Sequence, residues 1–295
     1  MSQITNIAWT DHTLNPWIGC TKVSRGCANC YAKTMDDNRF SKTLGGATKA
    51  HPQSHWGRSA PRVRTKGFST QAYRYNSAAA DRAAADIRRP RIFLSLCDWL
   101  DDEIPLPWLA DLLDVIYHTP YLDWQLLTKR PQNFYTRLVS LLALPRDPQS
   151  ILSLDARERI DRWVYRATPP ANIWLGVSVE DQLRAAERIP LLLKLPAYVR
   201  WLSVEPLLEW VDLGFHLTRQ FSQPNPGLHW VVVGGESGPG RRDCRVGAIG
   251  DVALQCIQAC VPVFVKQDCA AKSGQQGRIH EDFWAFKQFP EIPTT

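Results

Sequence analysis

The sequence predicts an α/β protein, a partial or full parallel (β/α) barrel built as a single domain over residues 1–295. The prediction depends on short apolar runs of the kind that form buried parallel strands. Successive runs begin roughly 26 to 50 residues apart, the length of a strand followed by a crossover helix. With 44% hydrophobic residues, the chain can bury a core of that size. The runs begin at Ile92, Trp124, Ile173, Val199, Trp230 and Val263, and the run WIGC that ends at Cys20 is the candidate first strand.

Helical patterns lie between these runs. Residues 106–118 place apolar side chains at intervals of three and four, which is the spacing of one face of a helix. Residues 181–195 repeat that spacing, and we expect Pro190 to interrupt the helix there. The pattern predicts a charged helix and linker over residues 146–170 and a turn-rich loop over residues 220–229.

Residues 41–91 do not follow this alternation, and we interpret them as a basic insertion over the barrel mouth. The segment mixes Gly, Pro, Ser, Arg and aromatic residues and contains one Ala-rich helical piece, residues 77–89. From His55 to Arg91 it holds nine Lys and Arg residues against Asp81 and Asp86, so nine minus two gives a net charge of +7. That exceeds the +6 of the whole chain.

Cations interleaved with aromatic side chains are typical of surfaces that neutralise phosphates and stack on bases. The insert therefore predicts a nucleic acid or nucleotide as the substrate. The alternative is a solvated arginine-rich surface, because no recognised nucleic-acid-binding fold accompanies the insert. The predicted substrate-binding residues are Trp56, Arg62, Arg64 and Lys66 in the insert, and Lys266 after the last strand.

Composition also predicts the cellular compartment of the protein. No run of about 18 residues is apolar and uncharged enough to span a membrane. The first twenty residues lack a basic region followed by an apolar one, so we expect a soluble cytoplasmic protein with no membrane association. Eight cysteines are too few for a disulfide scaffold in a chain of this length, and reducing compartments keep thiols free for metals or catalysis. Clustered cysteines therefore indicate a metal site.

One such cluster lies near the N-terminus, in the sequence GCTKVSRGCANCYA. Cys20, Cys27 and Cys30 have the spacing C-x6-C-x2-C, and Gly19 and Gly26 let the backbone wrap closely round a bulky group. Three thiolates from one loop suit a 4Fe-4S cluster with one iron left open, because structural zinc requires a fourth ligand. Two alternatives stay open: a zinc ion completed by His12 or a remote cysteine, and cysteines that bind no metal.

The run IAWTDHTLNPWIGCTKVSRGCANCYA, followed by LTKRPQ, GVSVEDQ, LSVEPLL, GGESGPG and FVKQ, resembles a bacteriophage-associated three-Cys-motif family of unknown function. That family is similar to radical S-adenosylmethionine enzymes and, distantly, to spore-photoproduct-lyase-like proteins. The resemblance spans nearly the whole chain. It implies a barrel of the radical S-adenosylmethionine type in which the cluster, held by Cys20, Cys27 and Cys30, binds S-adenosylmethionine and cleaves it reductively to a 5′-deoxyadenosyl radical.

The resemblance also implies partners and one further contact. A reductive enzyme of this type takes electrons from a donor such as flavodoxin or ferredoxin, and a protein partner is a further expectation. Radical chemistry suits unactivated C–H bonds, so modification or repair of a nucleic acid or nucleotide is the predicted reaction. Asn29 stands where radical enzymes usually place an aromatic residue, and Tyr31 is expected to supply that cofactor contact.

Polar residues follow every predicted strand, and parallel strands bring such residues to one mouth. S-adenosylmethionine presents a carboxylate, an amine and a ribose diol, so its site needs a cation and carboxylates. Ser178 and Glu180 have the alternative role of helix N-caps, and GGESGPG that of a phosphate-binding nest. The predicted catalytic residues are Cys97, Lys129 and Glu205; the predicted cofactor-binding residues are Tyr31, Lys129, Arg130, Ser178, Glu180, Glu205, Gly234, Gly235 and Glu236.

The remaining cysteines raise the question of a second metal site. Cys256 and Cys260 lie four residues apart on a predicted helix, with Cys244 and Cys269 nearby in sequence. Isolated cysteines on helices more often pack as small hydrophobic residues. Two functions from different classes therefore remain: a radical enzyme acting on nucleic acid, and a non-catalytic nucleic-acid-binding or partner-recruiting protein whose metal site is structural.

Overall fold

A computed structural model describes residues 5–37, 55–83, 88–145, 152–217 and 227–292. Seven strands form one sheet in which every neighbouring pair is parallel, and the sheet curls into a partial barrel. This confirms the predicted α/β class and the parallel partial barrel. In sheet order the strands are β1 (His12–Thr13), β4 (Arg91–Phe93), β5 (Asp123–Thr128), β6 (Ile173–Ser178), β7 (Val199–Val204), β8 (Trp230–Gly234) and β9 (Val263–Gln267).

The prediction for the first barrel strand was wrong. Within the WIGC run, β2 (Trp17–Ile18) pairs antiparallel with β3 (Val63–Arg64) in a separate two-stranded sheet. The barrel instead begins at β1, where the Leu14 amide donates to the Phe93 carbonyl at 3.1 Å. Because β1 has two residues, both polar in type, hydrophobic patterning carries no signal for it.

Helices cover the outer face of the sheet. In the described residues they are α1 (Tyr31–Met35), α2 (Phe68–Ala83), α3 (Leu106–Tyr117), α4 (Phe134–Leu142), α5 (Leu154–Arg166), α6 (Gln182–Lys194), α7 (Gly214–Leu217), α8 (Val246–Gln258) and α9 (Glu281–Trp284). The predicted helices at 106–118 and within 146–170 are confirmed as α3 and α5. The predicted interruption at Pro190 is wrong, because α6 continues through it. None of these helices combines the length and apolar character needed to cross a membrane.

The predicted insertion, residues 41–91, divides into two parts. Helix α2 begins at Phe68, lies in the connection between β1 and β4, and packs against α3 on the outer face. It is therefore the first crossover helix of the barrel and not a cover over its mouth. Residues 55–64 lie beside the cysteine loop instead. Residues 41–54 and 84–87 of the predicted insertion, and most of the predicted loop at 220–229, lie outside the described residues.

A layer of aromatic side chains fills the amino-terminal part of the barrel interior. Trp9, Trp174, Trp201 and Trp230 pack together with Phe93, Val232 and Phe264. At Gly176 a Cβ atom would lie 2.4 Å from the indole ring of Trp201, so only glycine leaves room for that ring. Because side chains two residues apart on a strand share a face, the polar residues that follow this layer point into the carboxyl-terminal mouth.

Candidate functional site

A cavity of about 190 Å³ lies at the carboxyl ends of the strands, above the tryptophan layer. Its walls come from the cysteine loop and from residues that follow the strands of the parallel sheet. Most residues predicted for the site line it: Cys20, Cys27, Cys30, Tyr31, Trp56, Cys97, Lys129, Arg130, Ser178, Glu205, Gly235, Glu236 and Lys266. The predicted residues that do not line it are Arg62, Arg64, Lys66, Glu180 and Gly234.

The three N-terminal cysteines face this one cavity. Cys27 is buried, and Cys20 and Cys30 are half-buried. Burial, together with Asp98, Cys30 and Cys27, raises the pKa of the Cys20 thiol well above its usual value. Three soft sulfur donors that line one partly dry cavity are what an iron–sulfur cluster requires, so the residues present fit that group.

The sulfurs of Cys20, Cys27 and Cys30 are farther apart than the ligands of one tetrahedral zinc ion would be. Tetrahedral zinc holds its sulfurs at about 2.3 Å and hence about 3.8 Å from one another. Among the described residues, the one group of three ligand atoms that all lie within 4.8 Å of one another does not include Cys20, Cys27 or Cys30. The alternative zinc ligand His12 also lies elsewhere, because its ring stacks on Tyr75 at a centroid distance of 4.2 Å.

Asp98 and Arg130 fasten the first end of the cysteine loop. The Arg130 guanidinium donates to Asp98 Oδ2 at 2.7 Å and to the carbonyl oxygen of Thr21, the residue after Cys20. Asp98 also accepts from Thr128 Oγ1 at 2.7 Å and from the Lys129 amide at 3.0 Å. Arg130 is thus committed to the protein, which favours a positioning role over the predicted contact with the carboxylate of S-adenosylmethionine.

Arg62 fastens the same residue from the other side. Its guanidinium donates to Thr21 Oγ1 at 2.7 Å and to Asp101 Oδ2 at 3.0 Å, and Asp101 accepts from the Thr21 amide at 3.0 Å. The Arg62 side chain is 3% exposed. These contacts favour a bracing role for Arg62 over the predicted contact with substrate. Charge patterning placed it at the surface, whereas the fold uses it as a buried brace for the loop.

Trp56 supports the loop from below. Its indole nitrogen donates to Asp36 Oδ2 at 2.9 Å, and His55 Nδ1 lies 2.9 Å from the same oxygen. The ring packs with Ile18 and with Cys20 and Cys30. Because Trp56 is buried, it does not offer the exposed stacking surface that the prediction required.

Glu236 fastens the second end of the loop. Asn29, next to Cys30, donates to Glu236 Oε2 at 3.0 Å. The guanidinium of Arg242 pairs with Glu236 Oε1 at 2.6 Å and donates to the Arg25 carbonyl at 3.0 Å. Burial opposes ionisation of Glu236, but hydrogen bonds from Arg242 and Asn29 outweigh it and lower the pKa of this carboxyl. Glu236 is therefore an ionised anchor in the cavity wall.

Glu180 holds the middle of the loop from behind. A Cβ atom at Gly26 would lie 3.0 Å from Glu180 Cδ, so the carboxylate side chain packs directly on the loop backbone. Arg188 pairs with Glu180 at 2.9 Å, and although burial raises the pKa of Glu180, Lys129 and Arg188 lower it below its usual value. Glu180 is thus turned away from the cavity. Neither Ser178 nor Glu180 has the alternative role of helix N-cap, because Asp181 caps α6.

The opposite wall of the cavity carries an ion pair. Lys266 Nζ lies 2.8 Å from Glu205 Oε1, so two residues predicted for separate roles are in direct contact. Gly234 packs beneath them: a Cβ atom at this position would lie 3.2 Å from Glu205 Oε1. Ser178 and Ser203 add hydroxyls to the same wall. Across the cavity, Lys129 has no carboxylate oxygen within 4.0 Å in the described part of the chain.

Two further predicted residues lie at the rim. The Tyr31 hydroxyl donates to the Ser95 carbonyl at 2.9 Å, and 44% of Tyr31 is exposed, so its ring faces the opening. Cys97 lies beside Gly19 across a strand bridge. Burial, Asp98 and Cys20 raise the pKa of the Cys97 thiol well above its usual value. A raised pKa disfavours the thiolate, so these surroundings do not favour Cys97 as a nucleophile. The predicted radical role stays a prediction.

Most cations of the basic segment from His55 to Arg91 are neutralised by carboxylates outside it. Arg62 pairs with Asp101 and Glu103, and Arg64 with Asp111. Arg88 and Arg91 pair with Asp11, and Arg89 pairs with Asp123. The cations that make no ion pair with a described carboxylate are Arg58, Lys66, Arg74 and Arg82, and all four are exposed.

Sequence reasoning missed the residues that brace the loop, namely Asp101, Arg242 and the role of Asn29. A weak signal was present for two of them. Asp101 lies in the acidic run DWLDDE directly after a strand, and Arg242 lies in the basic run that follows GGESGPG. Their partners are remote in sequence, so only the fold reveals what the charges contact.

The fold and the site together define a partial parallel α/β barrel with a three-cysteine loop braced across its mouth. Residues 4–284 match the family model described as "Protein of unknown function (DUF5131)", and the chain belongs to this family. No curated protein and no solved structure matches the chain significantly.

Asp98→Asn is expected to lower the free energy of unfolding by about 1.5 to 3 kcal/mol, because it removes the charge-assisted hydrogen bond to the buried Arg130 and leaves only the longer ion pairs to Asp101 and Asp102 at 3.9 and 3.7 Å. Urea denaturation followed by circular dichroism measures the change. Glu158→Gln is the matched control, since its partner Arg162 lies on an exposed helix face. That control is expected to cost no more than about 0.5 kcal/mol. Equal effects for the two variants would contradict the role assigned to Asp98.

Proposed function

We propose that this protein is an iron–sulfur enzyme that uses S-adenosylmethionine in radical chemistry. The observation that carries the proposal is the convergence of three thiols from one loop on a single cavity at the mouth of a parallel partial barrel. Cys20, Cys27 and Cys30 would hold a 4Fe-4S cluster. Such a cluster with one open iron supplies the electron that reduces the sulfonium of S-adenosylmethionine, the chemistry that generates a carbon-centred radical.

The cavity offers the groups that the remaining parts of S-adenosylmethionine require. The ammonium group of Lys129 has no carboxylate oxygen within 4.0 Å in the described residues. It would bind the amino-acid carboxylate of S-adenosylmethionine. Glu205 would accept hydrogen bonds from the amine or the ribose hydroxyls, and Lys266, 2.8 Å away, orients that carboxylate. Ser178 and Ser203 supply further hydroxyls. The tryptophan layer closes the floor and keeps water from reaching the site from below.

The proposed substrate is a nucleic acid or nucleotide, with electrons supplied by a donor such as flavodoxin or ferredoxin. Support comes from the exposed cations that no described carboxylate pairs. Of these, Arg58 lines a groove that also contacts Thr21 and Lys22 of the cysteine loop. Thr21 also lines the cavity, so a phosphate held at Arg58 would lie in a groove that adjoins the proposed site.

Anaerobic reconstitution with iron and sulfide is expected to give roughly four irons per chain, because three thiolates and one open position suit a 4Fe-4S cluster. Cys20→Ala, Cys27→Ala and Cys30→Ala should each abolish iron uptake. The matched controls Cys256→Ala and Cys260→Ala should retain it, since Cys256 is buried in α8 and Cys260 lies just after it. Colorimetric iron and sulfide determination provides the measurement.

Cys97→Ala distinguishes a cluster held by three cysteines with one open iron from a cluster closed by Cys97 as a fourth ligand. If Cys97 were a fourth ligand, its loss would lower iron content as much as loss of Cys20, and the open position needed for S-adenosylmethionine would not exist. The proposal expects Cys97→Ala to keep full iron content. Stoichiometric zinc in the anaerobically purified wild type, with no iron uptake, would contradict the cluster itself and favour the non-catalytic alternative.

Binding to a single-stranded oligonucleotide is expected to weaken steeply with salt, because each neutralised phosphate releases a counterion. Replacing Arg58, Lys66 and Arg74 together with Gln should reduce the salt slope by about 0.7 to 0.9 for each phosphate that is no longer neutralised. The matched control is Arg166→Gln at the end of α5, remote in sequence from these cations. Fluorescence anisotropy from about 50 mM salt upward measures both. No binding at the lowest salt would rule out a polymeric substrate and leave a nucleotide.

A further inference from the structure

A second cluster of potential metal ligands lies behind the cavity wall. Cys244, Asp268 and Cys269 present one ligand atom each, and these three atoms all lie within 4.8 Å of one another. Cys244 and Asp268 are buried, and the side chain of Asp268 is 3% exposed. Asp243 lies beside this group and offers a fourth ligand atom, since its Oδ1 atom lies 3.0 Å from Cys269 Sγ. Its side chain is 78% exposed and would rotate to come within reach of all three.

The group already binds a cation of the protein itself. One terminal nitrogen of Arg278 donates to Asp243 Oδ1 at 2.9 Å, to Asp268 Oδ1 at 2.9 Å and to Cys269 Sγ at 2.8 Å. The Arg278 side chain is half exposed on a flexible stem, so it can leave without unfolding the site. This nitrogen marks the point at which Asp243 Oδ1, Asp268 Oδ1 and Cys269 Sγ would contact a bound cation.

The distances between donors agree with tetrahedral zinc. With zinc at about 2.3 Å from sulfur and 2.1 Å from oxygen, a tetrahedral sulfur–oxygen edge is about 3.6 Å. Cys244 Sγ lies 3.4 Å from Asp268 Oδ1. Two thiolates select zinc over magnesium or calcium, which bind through oxygen. Coordination converts the two thiols to thiolates, and their two protons go to the buffer.

We propose that Cys244, Asp268 and Cys269, with Asp243 as the fourth ligand, form a structural zinc site in which the metal replaces the guanidinium of Arg278. The site joins the loop after β8 to the loop after β9. At Gly235, which lines the cavity, a Cβ atom would lie 2.9 Å from Cys244 Sγ and 2.6 Å from the Cys269 amide. Zinc here would therefore fix the wall of the cavity that Gly235 and Glu236 form.

The site does not depend on the proposed iron–sulfur function, so it is tested in a full-length chain that lacks Cys20, Cys27 and Cys30, each replaced by Ala. Under anaerobic reducing conditions, isothermal titration with ZnCl2 is expected to show one zinc per chain. Adding Cys244→Ala, Cys269→Ala or Asp268→Asn should weaken binding more than about 100-fold, beyond the 10- to 100-fold typical of residues outside the ligand shell. Cys256→Ala and Cys260→Ala are the matched controls and should bind as the parent does.

Arg278→Gln is expected to strengthen zinc binding, whereas loss of a ligand weakens it. Because Arg278 competes with the metal for the same oxygens and sulfur, its removal should raise zinc affinity about tenfold or more, in line with the loss of one charge-assisted pair. Cobalt(II) in place of zinc should give visible absorption bands of tetrahedral thiolate coordination, which Cys244→Ala should abolish. If the triple variant does not fold, the same titration on the wild type should lose one equivalent of bound cobalt, with its bands, on Cys244→Ala.

Three results would overturn the proposal. One is no zinc binding in a folded parent. A second is binding that Cys244→Ala and Cys269→Ala leave intact. The third is weaker binding in Arg278→Gln, because that would make Arg278 part of the site rather than its competitor. None of these results bears on iron uptake by Cys20, Cys27 and Cys30, so the two proposals fail separately.

Discussion

The buried ion pair between Asp98 and Arg130 is the interaction on which the site depends. Asp98 follows the first full barrel strand, and Arg130 follows the next strand along the sheet. Their contact at 2.7 Å ties the two strand ends together, and Arg130 continues to the Thr21 carbonyl in the cysteine loop. Each charge is almost fully removed from water, and the other carboxylates near Arg130, Asp101 and Asp102, lie farther away at 3.9 and 3.7 Å. Loss of the Asp98 contact therefore costs more than loss of a surface pair.

The cysteine loop is thereby fixed at three separate points. Arg62 and Arg130 fasten Thr21, Glu180 packs on Gly26, and Glu236 accepts from Asn29. Each point lies next to a cysteine or within the loop that joins two of them. Ordering three thiols costs conformational entropy. Here buried charged contacts that form on folding offset that cost, so the loop is ordered before any metal binds. Such preorganisation is what a site with an open coordination position needs.

Much of this arrangement follows from the sequence, for a definite reason. Apolar runs locate the long strands, and the period of two along each strand then places Cys97, Lys129, Ser178 and Glu205 on the inner face of the mouth. Patterning could not identify the first strand, because His12 and Thr13 carry no hydrophobic signal. Patterning also could not reveal the ion pair of Arg62 with Asp101, since a run of cations looks alike whether its partners are solvent or remote carboxylates. Local sequence reports periodicity well and long-range charge pairing poorly.

The proposed function requires that the three thiols hold a cluster with one iron free to bind S-adenosylmethionine. Low-temperature electron paramagnetic resonance of the reduced, iron-reconstituted protein tests this most directly, because a ligand on the open iron changes the electronic environment of the whole cluster. We predict a 4Fe-4S signal whose g values shift when S-adenosylmethionine is added. A cluster signal that stays unchanged at saturating S-adenosylmethionine would contradict the open iron and would indicate a cluster closed by four protein ligands.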